Sequence, residues 1–167
     1  AIRSASDLKG LKMRVYDGTG LAFGKLAGIA ARKMAFSEVY PAMKAGLLDS
    51  MYTSSVSGVD AKAWEMLDYF TRINIVGPVN MVNVNHDAWH KLSAKVQNQV
   101  LTVAAQMEDE MWNLAGDMER KSLAKLKANG MNVLDVDPAF RKDLDEMGRT
   151  LRSAWVKKAG SDAQAIF

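Results

Sequence analysis

The sequence predicts an α/β fold, with a sheet flanked by helices. Short apolar stretches typical of strands alternate along the 167 residues with longer stretches of helical periodicity. This alternation favours layers of strands and helices over a bundle of helices. Hydrophobic residues make up 49% of the chain, which is enough to build a core.

Composition argues against several function classes. The chain has no cysteine, which excludes disulfides, thiolate metal sites and cysteine nucleophiles. The net charge is only +3 and the charges are interspersed, so nucleic-acid binding has no support beyond a pI of about 9.1. No apolar run reaches the ~18 residues that a membrane span requires. We therefore expect no nucleic-acid partner and no membrane span.

The first strand is predicted around Arg14. Apolar and basic side chains alternate over residues 11–15, the period-2 pattern of a strand with one buried face. A glycine-rich bend follows, and α/β proteins usually bind ligands at such strand ends. The planar guanidinium of Arg14 suits a carboxylate or phosphate held at two points. The alternative is an edge-strand arginine in a solvated ion pair.

Two further strand–helix units are predicted in the first half. Residues 21–31 are small and apolar, which indicates a helix close to the sheet, and 33–36 are a short strand candidate. A helix is predicted from the cap Ser37 to Gly46. A strand over 46–52 then leads into the hydroxyl-rich loop 53–58, which can donate hydrogen bonds to a ligand or cap a helix.

The second half contains the longest predicted elements. Residues 72–85 have the clearest strand composition, interrupted by Gly77-Pro78. A long helix is predicted from the cap Ser93 to about Asn129, because valine, leucine and methionine recur every three or four residues. The remaining predicted elements are a helix over 60–70, a short helix over 86–92, a strand over 131–136, a helix that begins at Asp137-Pro138 and a tail helix over 160–167.

Two motifs suggest enzymatic or metal chemistry, but neither is complete. Gly18, Gly20 and Gly24 resemble a dinucleotide-binding turn whose third glycine is one position late. The match is weak, and the alternative is a tight turn with close helix–sheet packing. His86 and His90 have the spacing of a zinc-protease pair, without a third ligand cluster. We expect no catalytic residues, no metal site and no cofactor; a nucleotide-binding enzyme that uses the 18–24 turn is the alternative.

A third set of residues indicates ligand binding. Arg14, Phe36 and the loop that begins at Tyr52 each follow a strand candidate, so parallel strands would bring them to one edge of the sheet. There they offer a guanidinium, an aromatic wall and hydroxyl donors, without a nucleophile–base pair. This set favours binding over turnover.

Four segments in register resemble the second half of the solute-binding proteins of tripartite ATP-independent periplasmic (TRAP) transporters, the DctP-like family. The segments are 6–15, 34–40, 45–49 and 85–92. The resemblance implies the second lobe of a two-lobed periplasmic receptor, with a mixed sheet and a long lobe-bridging helix. It implies a receptor, not an enzyme, that binds a small organic acid and delivers it to the TRAP membrane subunits.

The resemblance also implies roles for individual residues. Arg14 would hold the ligand carboxylate, Phe36 would line the cleft, and Thr53 would touch the ligand, with Tyr52 and Ser54 beside it. The chain departs from the family pattern after the arginine strand, where a proline is usual and Tyr16 stands here. The loop 49–53 departs as well, so the ligand class stays open.

The resemblance covers only half of such a receptor. We expect a signal peptide and a first lobe to be absent before Ala1. The expected organisation is a ligand-binding lobe over 1–92, a bridging helix over 93–130, and a return strand with C-terminal helices over 131–167. A homodimer through the methionine-rich stripe of the long helix is a further alternative.

Overall fold

The computed structural model describes residues 1–160 and residue 163. These residues fall into two compact units. The first unit contains residues 1–75 together with the chain from Ser122 onward, and the second contains residues 76–121. The predicted division into a lobe over 1–92, a helix over 93–130 and a C-terminal part stays a prediction.

The first unit contains two parallel sheets. The larger sheet has three strands in the order β2-β1-β3, and the smaller pairs β4 with β5. The strands are β1 (Lys12–Val15), β2 (Ala30–Lys33), β3 (Ser50–Met51), β4 (Tyr69–Arg72) and β5 (Asn132–Asp135). The α/β fold is therefore confirmed, but every strand pair in the described part of the chain is parallel, where a mixed sheet was expected.

Six α-helices lie within the described residues. They are α1 (Gly18–Ala27), α2 (Val39–Lys44), α3 (Ser55–Asp60), α4 (His86–His90), α5 (Ala94–Ala128) and α6 (Pro138–Ala159). Side-chain caps fix the starts of two helices as the sequence predicted, whereas the predicted cap Ser37 is wrong because it lies within a 3-10 turn, Phe36–Glu38, ahead of α2. The Asp137 carboxylate accepts a 2.8 Å hydrogen bond from the amide of Phe140 ahead of α6, and the Ser93 hydroxyl accepts one from Val96 in α5.

The main core of the first unit lies between the three-stranded sheet, α1 and α6. Met13 of β1, Phe23 of α1 and Phe140 of α6 belong to one buried cluster. A smaller cluster surrounds Leu126, which is fully buried at the C-terminal end of α5. The apolar stripe nearer the start of α5 is exposed in the second unit, with Met107 and Met111 each nearly half exposed.

Several predicted elements are shorter or differently placed. The strand predicted over 72–85 is wrong beyond β4, because residues 73–85 form no strand. Pro78 has no backbone N–H to donate, and Asn74 adopts a positive φ of 50° that ends the extended run. The helix predicted over 60–70 is reduced to a turn of 3-10 helix, Ala63–Glu65. The predicted tail helix lies mostly outside the described residues.

Candidate functional site

The three-stranded sheet brings the predicted binding segments to one edge. All three strands are parallel, so their carboxyl ends lie side by side. The amide of Tyr52 donates a 2.8 Å hydrogen bond to the carbonyl oxygen of Arg14, and the amide of Met34 donates a 3.2 Å bond to that of Val15. These backbone bonds hold the segments that follow β2 and β3 against the end of β1.

Arg14 is buried at this edge, with only 5% of its surface exposed. Its Nε donates a 3.0 Å hydrogen bond to the carbonyl oxygen of Met34. Its Cζ lies 5.6 Å from the ring centre of Tyr16 and 6.0 Å from that of Phe36, within cation–π range of both. Among the described residues, no carboxylate pairs with Arg14 and its two terminal nitrogens make no hydrogen bond.

The burial of Arg14 corrects the sequence analysis. Period-2 alternation placed its side chain on the exposed face of the strand, with an edge-strand ion pair as the alternative. β1 is instead the central strand, and aromatic residues from the loops after β1 and β2 cover the guanidinium. Burial lowers the pKa of Arg14 from its ordinary value, but an arginine in a protein stays protonated. The site therefore holds a permanent positive charge.

Tyr16 completes an aromatic cluster that the sequence analysis identified only in part. Its ring stacks on that of Tyr52, with the ring centres 5.2 Å apart and the planes within 7°. Phe36, at the start of the 3-10 turn that follows β2, lies within cation–π range of the same guanidinium. We call Arg14, Tyr16, Phe36 and Tyr52 the Arg14 site. In the sequence, Tyr16 could have been recognised by its position directly after the arginine strand, where the family pattern has proline.

The hydroxyl-rich loop divides between two roles. The Ser54 hydroxyl accepts a 3.1 Å hydrogen bond from the amide of Ser57 and caps α3, as the helix-capping reading of this loop predicted. Thr53 directly follows Tyr52 and is half buried. Of the five predicted ligand residues, Arg14, Phe36 and Tyr52 contribute to one cluster, while the hydroxyl of Ser54 is engaged in the helix cap.

Close packing explains two of the three glycines in the 18–24 turn. A Cβ atom on Gly20 would lie 2.8 Å from Cβ of Val15, and one on Gly24 would lie 2.6 Å from Cβ of Ala31. Both distances are too short for real contacts. The close approach of α1 to β1 and β2 therefore accounts for these glycines without a nucleotide.

The two histidines of α4 contact each other. Nε2 of His86 and Nε2 of His90 are 3.0 Å apart, and Nδ1 of His86 lies 3.4 Å from a carboxylate oxygen of Asp87. Within residues 1–160 and 163, no group of three or more ligating side chains could hold a metal ion. No helix in the described part of the chain is long and apolar enough to cross a membrane.

Comparison with protein families gives one match over nearly the whole chain. Residues 1–158 match DctP, the bacterial extracellular solute-binding protein, family 7. A solute-binding protein of Verminephrobacter eiseniae is 30% identical over 81% of this chain and 41% of its own length. The sialic acid-binding periplasmic protein SiaP of Vibrio cholerae is 26% identical over 87% of this chain and 46% of its own length.

Solved structures show the same similarity. An extracytoplasmic solute receptor of Bordetella pertussis that binds pyroglutamic acid is 30% identical, with a TM-score of 0.87 over 98% of this chain and 55% of the receptor. A TRAP solute-binding protein from a marine metagenome, specific for pyroglutamate, is 25% identical, with a TM-score of 0.86 over 99% of this chain and 55% of that protein. The chain spans about half the length of the curated relatives it matches.

Proposed function

The chain belongs to the DctP family of bacterial extracellular solute-binding proteins, and on that premise we propose that it binds a small organic carboxylate at Arg14. The family consists of periplasmic solute receptors, not enzymes. The proposal extends to the whole protein, which would deliver its ligand to the membrane subunits of a TRAP transporter.

The observation that carries the proposal is the buried, unpaired guanidinium of Arg14. Moving a charge out of water is costly unless a partner of opposite sign meets it. No carboxylate of the described residues pairs with Arg14. A ligand carboxylate would supply that partner, and the exclusion of water by the surrounding rings would strengthen the pair.

The hydrogen bond from Nε to Met34 orients the guanidinium for this role. It fixes one edge of the planar group and leaves the two terminal nitrogens for a second acceptor. Two parallel bonds to a carboxylate would then fix the ligand's orientation. Phe36 would pack on the carbon skeleton and the Thr53 hydroxyl would bond its polar groups, whereas Ser54 would act mainly by holding the loop.

The names of the relatives agree with a carboxylate ligand. The two structures described above bind pyroglutamic acid or pyroglutamate, and a Nostoc relative that is 28% identical is a monocarboxylate 2-oxoacid-binding periplasmic protein. Each of these ligands carries a carboxylate. The comparisons give no support to a homodimer through α5, which is not included in the proposal.

A thermal-shift screen of the full-length protein against mono- and dicarboxylates tests the proposal. We expect at least one acid to raise the melting temperature of the wild type and not that of Arg14→Ala. Arg32→Ala is the matched control, because Arg32 is the exposed register partner of Arg14 on β2. If no acid stabilises the wild type, or if Arg14→Ala responds equally well, the proposal is wrong.

A further inference from the structure

Tyr16 and Tyr52 form a flat wall next to the guanidinium. Tyr16 follows β1 and Tyr52 follows β3, so two adjacent strands supply the two stacked rings. Tyr52 is half buried and packs against the main core, while Tyr16 is 39% exposed. The core therefore supports the inner ring of the pair, and the outer ring retains surface that a ligand can contact.

Tyr16 lies next to Arg14 as well as next to Tyr52. Cζ of Arg14 lies 5.6 Å from the centre of the Tyr16 ring, close enough for a cation–π contact. A carboxylate bound by the terminal nitrogens of Arg14 would thus have its carbon skeleton beside aromatic rings. Phe36, 6.0 Å from the same Cζ, adds another apolar surface.

The chemistry of these rings determines which ligand carbon skeletons can bind against them. Each tyrosine offers a broad apolar face but a single hydroxyl. A flat skeleton with few polar groups loses less hydration against such faces than a sugar does, and it gains stacking contacts. A polyhydroxylated skeleton would lose hydrogen bonds to water that the rings could not replace, and such a loss costs more than the contact returns.

We propose that Tyr16 determines ligand specificity, and that with Tyr52 it makes the Arg14 site select flat monocarboxylates without ring hydroxyls over sugar acids. A five-membered lactam acid, whose ring carries a single amide, represents the favoured class, and a hexuronic acid with several hydroxyls represents the disfavoured one. This inference rests on the proposed function, because it requires Arg14 to hold the carboxylate.

Calorimetric titration of the full-length protein with pyroglutamate and with galacturonate tests the inference. We expect the wild type to bind pyroglutamate more tightly. Tyr16→Leu should weaken pyroglutamate binding by about fivefold to tenfold, because an aromatic stacking contact is lost. Its affinity for galacturonate should change by less than about twofold, and Tyr16→Phe, which keeps the ring, should retain the preference.

The variants separate the two proposals. If Arg14→Ala abolishes binding but Tyr16→Leu leaves the affinity ratio of the two acids unchanged, the inference is wrong and the proposed function stands. A wild type that prefers galacturonate also overturns the inference. If neither acid binds the wild type, the inference is wrong, while the proposed function is decided by the thermal-shift screen of the wider set of acids. If Arg14→Ala binds both acids normally, both proposals fail. Tyr16→Ala provides the same comparison if Tyr16→Leu does not fold.

Discussion

The backbone amide of Tyr52 donates a 2.8 Å hydrogen bond to the carbonyl oxygen of Arg14. Together with the 3.0 Å bond from the amide of Asp49 to the carbonyl oxygen of Lys12, it fixes the register between β3 and β1. The bond places Tyr52, which stacks on Tyr16, beside Arg14, whose guanidinium lies over the Tyr16 ring. The placement of Tyr52 beside Arg14 thus follows from strand pairing.

Replacing Arg14 by methionine tests whether this residue serves ligand binding without contributing to the stability of the fold. A buried arginine without a carboxylate partner contributes little to folding, and apolar replacements of buried charges are often neutral or stabilising. We expect the free energy of unfolding of the unliganded protein to stay within about 1 kcal/mol of wild type, or to rise. Urea denaturation measures it. A loss of more than about 3 kcal/mol would assign Arg14 a structural role.

Replacing Gly24 by alanine should destabilise the protein through overpacking. The new Cβ would lie 2.6 Å from Cβ of Ala31, so α1 and β2 would have to separate. We expect a loss of about 1–3 kcal/mol in the free energy of unfolding, measured in urea. Gly18→Ala is the control, because nothing lies within 4 Å of its added Cβ. Equal stability of both variants would show that α1 does not pack this closely.

Tyr52 should make the protein sensitive to alkaline pH. Burial first, and then the neighbouring Tyr16 hydroxyl, raise the pKa of Tyr52 well above its ordinary value. The folded state therefore holds this proton more tightly than the unfolded state. The contribution of protonated Tyr52 to the free energy of unfolding is fully present below the ordinary tyrosine pKa of about 10. It is lost as the pH rises above that value.

Unfolding measured in urea across this pH range tests the effect. The stability of Tyr52→Phe should fall less steeply above pH ~10 than that of wild type, because the variant has no such proton to release. Tyr69→Phe, which removes the hydroxyl of an exposed tyrosine on β4, is the control. Identical slopes for Tyr52→Phe and wild type would contradict the burial of this hydroxyl.

Removing the cap of α6 should weaken the main core. The Asp137 carboxylate accepts a 2.8 Å hydrogen bond from the amide of Phe140, whose side chain is almost fully buried in the core. Asp137→Ala should lower the free energy of unfolding by about 1 kcal/mol, since that amide loses its partner. Asp137→Asn should retain most of the stability. If both variants lose the same amount, the charge of Asp137 rather than its capping bond is responsible.

The local elements were predictable wherever a short-range signal defines them. Apolar and basic residues alternate over 11–15, and residues 12–15 form β1. The caps Ser93 and Asp137 mark the starts of α5 and α6, because their side chains bond the first free amides. The convergence of Arg14, Phe36 and Tyr52 followed from the expectation of parallel strands, and the sheet is parallel.

Features that depend on tertiary contacts were not predictable in the same way. The burial of Arg14 arises from the central position of β1 and from rings supplied by other loops. The β-branched composition of residues 72–85 predicts a strand, yet Pro78 cannot donate to a ladder and residues 73–85 form none. The partnership of Tyr16 with Tyr52 links positions 36 residues apart and has no local signature.

Nuclear magnetic resonance of the Arg14 side chain tests the central claim most directly. The full-length protein would be prepared with isotope-labelled arginine, and the Arg14 signals assigned from their absence in Arg14→Lys. On saturation with a stabilising carboxylate, we predict that the terminal nitrogen signals of Arg14 shift and that rotation of its guanidinium slows, because two new bonds fix it. Unchanged Arg14 signals at saturation, with a response at another arginine, would contradict the account.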